Sequence, residues 1–245
     1  MKNRTGEKHL TKEGYTIEII EYFRAINCTL QFEDGIIIKN RCYSDIVKGN
    51  IKNPNHKSVC NTGYVEIGEY NRKKNFKIYH TWQSMLERCY SKKRQEKFPT
   101  YGEVTVCAEW HNFQVFAQWF ENNYNSETME DWHLDKDILI KSNKIYSPEN
   151  CVFIPPQINT LLIKCDSVRG GLPIGVSKFK EKFKAQISTN GKIAHIGYFT
   201  TSQEAFQAYK TAKENQIKCV ANEWKDKITE KTYQALINYQ VEITD

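Results

Sequence analysis

The chain lacks the features that define several protein classes. No stretch approaches the ~18 consecutive apolar residues of a membrane span, and the polar start Met1-Lys2-Asn3-Arg4-Thr5 has no apolar signal core. The expectation is a chain that stays where it is made, with no membrane partner. Cysteine occurs eight times, at 28, 42, 60, 89, 107, 151, 165 and 219, yet never as Cys-x-x-Cys. That spacing argues against a zinc knuckle, and without an export signal the thiols read as reduced core residues of a cytoplasmic protein. A strong charge of one sign is also missing. Lys and Arg number 35 against 29 Asp and Glu, and a net +6 does not by itself establish a polyanionic partner.

What is present is enough apolar residue, 40% of 245, for ordinary cores in one large domain or two to three small ones. Three segments separate by pattern, at 1–75, 76–165 and 166–245. In the first, Thr16-Ile17-Glu18-Ile19-Ile20-Glu21-Tyr22 reads as a strand, and Thr29-Leu30-Gln31-Phe32 and Ile36-Ile37-Ile38 flank an Asp34-Gly35 turn. Gly49, Asn53-Pro54 and Gly63 break the remainder into short pieces, leaving a small β module with no recognisable chemical site.

The second segment opens with Trp82, Met85, Leu86 and Cys89 at helical spacing, and a second helix buries Phe113, Phe116, Ala117 and Phe120. Gly170-Gly171-Leu172-Pro173 then reads as a flexible joint. Beyond it, Gly175-Val176 opens one strand, Phe183 to Ser188 forms a second with Phe183, Ala185 and Ile187 inward, and Asn190-Gly191 signals a hairpin into a third, Ile193 to Phe199. Thr201 with Glu204 is a capping box, ahead of an apolar stripe of Ala205, Ala208, Tyr209 and Ala212.

Charge is concentrated in that last segment. Between positions 169 and 192, Arg169, Lys178, Lys180, Lys182, Lys184 and Lys192 stand against the single acid Glu181. Lysine on a strand edge also serves solubility, so the run alone leaves two readings open.

Chemistry concentrates between Trp132 and Asn159. The stretch Trp132-His133-Leu134-Asp135-Lys136-Asp137-Ile138, then Tyr146-Ser147-Pro148-Glu149-Asn150-Cys151-Val152-Phe153 and Asn159, resembles a His-Asn-His nuclease finger without its first histidine. Upstream, Trp82-x-x-Met85-x-x-Arg88-Cys89 and Val106-Cys107-x-x-Trp110 occur in the order seen in phage-encoded proteins of that group. The resemblance implies a strand hairpin packed on a helix around one Mg²⁺ or Mn²⁺. Asp135 and Asn159 would be metal ligands and Asn150 the clamp of the hairpin, while Lys136 stands in the place of the general base. Lysine, with an ordinary pKa of about 10.4, is protonated at working pH, so it suits a phosphate contact better than proton abstraction. His133, two residues before Asp135 on the same strand face, is the alternative base.

The C-terminal elements Gly175-Val176, Phe183-x-Ala185-x-Ile187, His195-Ile196-Gly197-x-Phe199 and Glu204-Ala205-x-x-Ala208-Tyr209 resemble the APETALA2/ethylene-response-factor domain, which also occurs in phage and mobile-element nucleases. That family lays a three-stranded sheet in the DNA major groove. The resemblance implies groove-facing roles for Ser177, Phe179, Lys184, Gln186, Ser188, Ile193 and His195. Gln186 suits adenine and Lys184 suits a phosphate or guanine. Arg169, Lys178, Lys180, Lys182 and Lys192 would supply phosphate contacts.

Together these readings predict an α+β chain with an N-terminal β module, a His-Asn-His-like ββα-metal middle with flanking helices, and a C-terminal three-stranded antiparallel sheet packed on one helix. The expected function is that of a phage or mobile-element protein, in the bacterial host cytoplasm, binding double-stranded DNA and needing no cofactor for that. Alternatives are a Mg²⁺- or Mn²⁺-dependent nicking or homing-type endonuclease, and an inhibitor of a host defence protein or nucleoprotein complex such as CRISPR.

Overall fold

Alternation of buried and exposed side chains builds the first sheet. The strands β1 (Lys8–Leu10), β2 (Thr16–Arg24), β3 (Asn27–Phe32) and β4 (Ile37–Arg41) pair antiparallel in sequence order. Ile17, Ile19, Cys28, Leu30, Phe32 and Ile38 project from one face onto Ile46 of the short helix α1 (Tyr43–Val47) and onto Ile51. The Asp34-Gly35 turn closes as its sequence predicts, with Gly35 at φ +87° donating its N–H to the Phe32 carbonyl. The computed structural model describes residues 3–163, 171–189 and 191–243.

Aromatic packing dominates the helices that follow. In α2 (Phe76–Tyr90) the buried set Ile78, Tyr79, Trp82, Met85, Leu86 and Cys89 follows the helical period. The exposed α3 (Lys92–Lys97), the short strand β5 (Thr105–Val106) and α4 (Phe113–Asn123) come next. Trp82 donates its buried Nε1–H to the Trp110 carbonyl at 2.7 Å, and its ring lies 5.3 Å from that of Phe113. Gly63 is required here, because a Cβ would run into Trp82 and Leu86.

The second half is mixed in the same way. β6 (His133–Asp135), β7 (Ile145–Tyr146), β8 (Val152–Ile154) and α5 (Pro156–Leu161) precede a three-stranded antiparallel sheet of order β11-β10-β9. Its strands are β9 (Val176–Phe179), β10 (Lys182–Thr189) and β11 (Lys192–Phe199). The long helix α6 (Ser202–Trp224) starts from the predicted capping box, Thr201 accepting from Glu204 N–H while the Glu204 carboxylate accepts from Thr201 N–H. A final helix, α7 (Glu230–Ile237), capped by Thr229, was not expected from the sequence pattern.

The fold is therefore mixed α+β, with the C-terminal three-stranded sheet beside α6. Its compact units, Met1–Phe120 and Glu121–Asp245, do not follow the breaks expected at 75/76 and 165/166. The reason lies in the core. Ile138, Ile154 and Ile158 belong to one apolar cluster with Val176, Ala185 and Ile187 of the sheet and with Ala205, Tyr209, Ile217 and Ala221 of α6. The Gln157 side chain accepts from Trp224 Nε1–H at 2.9 Å, and the Trp132 ring meets that of Trp224 edge-on at 5.9 Å. The finger segment and the sheet thus share one interior. Of the expected joint, Gly170 lies outside the described residues, as do Arg169 and Asn190.

Candidate nucleic-acid interface and metal finger

The segment from His133 to Leu161 contains a strand pair, β6 and β8, followed by the helix α5. β6 and β8 run antiparallel with His133 opposite Ile154, Leu134 opposite Phe153 and Asp135 opposite Val152. Leu134 points away from His133 and Asp135, which therefore share a face. From α5, the Asn159 carboxamide reaches that face and its Nδ2 lies 2.9 Å from His133 Nδ1. In this arrangement the amide donates and the imidazole accepts, so the neutral ring carries its proton on Nε2.

Asp135 is half-buried and engaged. Its Oδ1 accepts from the N–H groups of Asp137 and Ile138, both at 2.8 Å, which turns the chain out of β6. Burial nevertheless pushes its carboxyl up from the usual carboxylate range, outweighing those two bonds. Oδ2 is then the oxygen with which a cation could be held, together with Asn159 Oδ1 if the amide were turned over. One carboxylate oxygen and one carboxamide oxygen form a hard donor pair that fits Mg²⁺ or Mn²⁺, and the added charge would offset the burial of Asp135. Among the described residues no three His, Cys, Asp or Glu side chains converge, so such a site would depend on Asn159.

Lys136 is placed differently from the expected phosphate contact or base. It points to the other face and is only 7% exposed. Its Nζ donates to Asp137 Oδ1 and to the Asn143 carbonyl at 2.9 Å, and it lies 5.8 Å from the centre of the Tyr146 ring. Asn143 closes the loop from the other side, donating from Nδ2 to the carbonyls of Lys136 and Ile145 at 2.9 and 2.7 Å. The side chain of Asn150, the expected clamp, reaches Asn143 Oδ1 at 3.5 Å. Lys136 is a staple of this loop. Sequence reading missed Asn143, whose signal was the Ser142-Asn143 pair, with Ser142 at φ +64° in a turn.

The C-terminal sheet assembles its outer face from register. β10 pairs Lys182 with Phe179, and Lys184 with both Ser177 and Tyr198. Further along, Gln186 faces His195 and Ser188 faces Ile193. A bulge between Ala185 and Gln186 inserts Ile196 into β11, which restores Tyr198 to the same side. All seven positions expected in a groove, Ser177, Phe179, Lys184, Gln186, Ser188, Ile193 and His195, therefore lie on one face. Lys182 and Tyr198 join them. Lys180 sits in the β9–β10 turn at φ +53°, whereas Lys178 and Lys192 alternate toward the helix side at exposed strand ends.

Opposite that face, Val176, Phe183, Ala185, Ile187 and Phe199 pack in the cluster that α6 completes. Gly175, at φ +74°, allows the Tyr209 ring to lie against the start of β9, where a Cβ would collide with it. On the outer face the Tyr198 ring touches both Phe179 at 5.0 Å and His195 at 4.4 Å between centres. No family model, curated protein or solved structure matches this chain.

Proposed function

We propose that this is a double-stranded DNA-binding protein that lays its C-terminal sheet in the major groove, with the finger fused to it as a rigid platform. The observation that carries this reading is the composition of the outer face. Lysine, serine, glutamine, histidine, isoleucine and aromatic residues occupy it in register, and no carboxylate interrupts them. A two- or three-stranded surface fits the major groove, glutamine can pair with adenine there, and lysines at one end can neutralise phosphates. Selection of duplexes by the full chain from a random pool tests it. A selected duplex should bind with an affinity that falls steeply as salt rises, and Lys184→Ala should lower the salt slope by ~1 if that lysine meets a phosphate. Absence of salt-dependent enrichment would sink the proposal.

A second reading, a Mg²⁺- or Mn²⁺-dependent nicking endonuclease, is favoured by the contact between His133 and Asn159 on the face of Asp135. With Lys136 buried, proton abstraction in that reading falls to His133, whose Nε2 becomes a base only when the Asn159 amide turns over and accepts from Nδ1–H. Such a cation would polarise the scissile phosphate. Nicking of the selected duplex that persists in His133→Ala would exclude the role, and His133 is exposed enough for that change to leave the fold intact.

A further inference from the structure

We infer that the outer sheet face reads the C5-methyl groups of pyrimidines, so that thymine is part of the recognised target; this rests on the major-groove reading above. Three apolar side chains stand open on a face otherwise built of polar and cationic groups. Ile193 is 70% exposed, Tyr198 47% and Phe179 45%. Surface apolar residues are ordinary when scattered, but register gathers these onto one face with the groove-facing polar residues.

The major groove offers one apolar group to such side chains, the C5-methyl of thymine or 5-methylcytosine. Its other features are hydrogen-bonding edges and phosphates, which isoleucine and phenylalanine would desolvate without replacing their bonds to water. The arrangement is also polarised. Lys182 and Lys184 lie in the rows with Phe179 and Tyr198, whereas Ile193 lies two rows away opposite Ser188 and beyond Gln186. The lysine end thus suits the backbone and the Ile193 end suits base edges. Gln186, one row from Ile193, fits the N6 and N7 positions of adenine. An A·T step would satisfy both, with adenine on Gln186 and a neighbouring thymine methyl against Ile193.

The test uses the full chain and two short duplexes of alternating A·T sequence, identical except that one carries deoxyuridine in place of every thymidine. Removing the methyls should weaken binding by about 4-fold for each one that the face covers, the value of one buried CH₂. In Ile193→Ser, the preference for the thymine duplex over the deoxyuridine duplex should shrink. A paired comparison of G·C duplexes with cytosine or 5-methylcytosine should show the same sign. Equal binding of thymine and uracil duplexes at salt-dependent affinity would overturn methyl readout and leave the groove-binding reading standing. No duplex binding, or tighter binding of the single strands, would overturn both.

Discussion

The two larger sheets of this protein are both antiparallel, and each buries one face, but they use the exposed face differently. On the N-terminal sheet Lys8 stands opposite Glu18 and pairs with it at 3.6 Å, with Gln31 beside Glu18 on the next strand. Nearby, Arg4 donates to Glu7 and to Tyr43, so its charge is met within the module, and hydrogen bonds and the cation hold the Glu7 carboxyl below its usual range despite the opposing effect of burial. On the C-terminal sheet, Lys182 and Lys184 share their face with Ser177, Gln186, Ser188 and His195 and with no acid. A net +6 conceals this contrast. Register, which decides which charges share a face, carries more information about a polyanionic partner than the sum does.

The largest expected effect tests whether the C-terminal sheet stands alone. A fragment of residues 166–245 would lose Ile138, Ile154 and Ile158 from its core and Gln157 from Trp224. Truncating one buried isoleucine typically costs about 2–5 kcal/mol, so losing three approaches the whole ~5–15 kcal/mol stability of a domain. Residues 121–245 should unfold cooperatively in urea, and residues 166–245 should show no cooperative transition. A sharp transition in the shorter fragment would return the boundary to the Gly-Gly segment.

Next in size is the contrast in charge itself. Changing Lys182 and Lys184 together to alanine should lower the salt slope of duplex binding by about two, one for each phosphate no longer neutralised. Lys8→Ala on the other sheet should leave the slope unchanged, since its charge is met by Glu18. Equal effects from the two sheets would remove the basis for choosing one as the interface.

Much of the fold was legible because short-range chemistry specified it. The Asp34-Gly35 turn, the Trp82-Met85-Leu86-Cys89 stripe and the Thr201-Glu204 box depend on residues within a turn or two of one another, and each appears where its pattern placed it. The seven face positions of the C-terminal sheet were implied by the resemblance and register puts them on one side, whereas Tyr198 joins that side through a one-residue bulge that shifts parity, a feature that no local signal announced. The unit boundary was illegible for another reason. Isoleucines at 138, 154 and 158 look like the finger's own core, and nothing in their spacing tells that their neighbours include Val176 and Ala205. Lys136 shows the same limit, since motif position alone does not reveal that its ammonium turns inward to Asn143.

That inward turn sets a smaller effect. Lys136→Met keeps the stem and removes two hydrogen bonds, leaving the Asn143 carbonyl unpaired while half-exposed Asp137 regains water. Loss of a buried partner of this kind costs about 1–3 kcal/mol, so the urea midpoint should fall while the salt slope of duplex binding stays unchanged. A reduced slope without loss of stability would mean that Lys136 reaches phosphate.

The smallest effects are in pH, where the two units should respond with opposite sign. In the first unit, burial holds His111 below its ordinary pKa, against the hydrogen bond from its ring to the Val106 carbonyl. The unfolded imidazole takes up a proton first, so this contribution is present above about 6.5 and is lost as pH falls through that value toward the folded one. In the second unit, burial raises Asp135, so its contribution is greatest below the unfolded value of about 3.9 and is lost as pH rises through the folded one. Amide exchange resolved along the chain should show acid loosening residues around His111 and tightening those around Asp135. Asp135→Asn keeps an acceptor for the N–H groups of Asp137 and Ile138 but removes the charge, so it should abolish the second trend and leave the first. Mn²⁺ should likewise offset the charge, slowing exchange around Asp135 in the wild type and doing nothing in Asp135→Asn. If Mn²⁺ slows exchange equally in both proteins, the cation is binding elsewhere; if it slows neither, Asp135 serves only to turn the chain, and the finger contributes packing to the sheet and no metal chemistry.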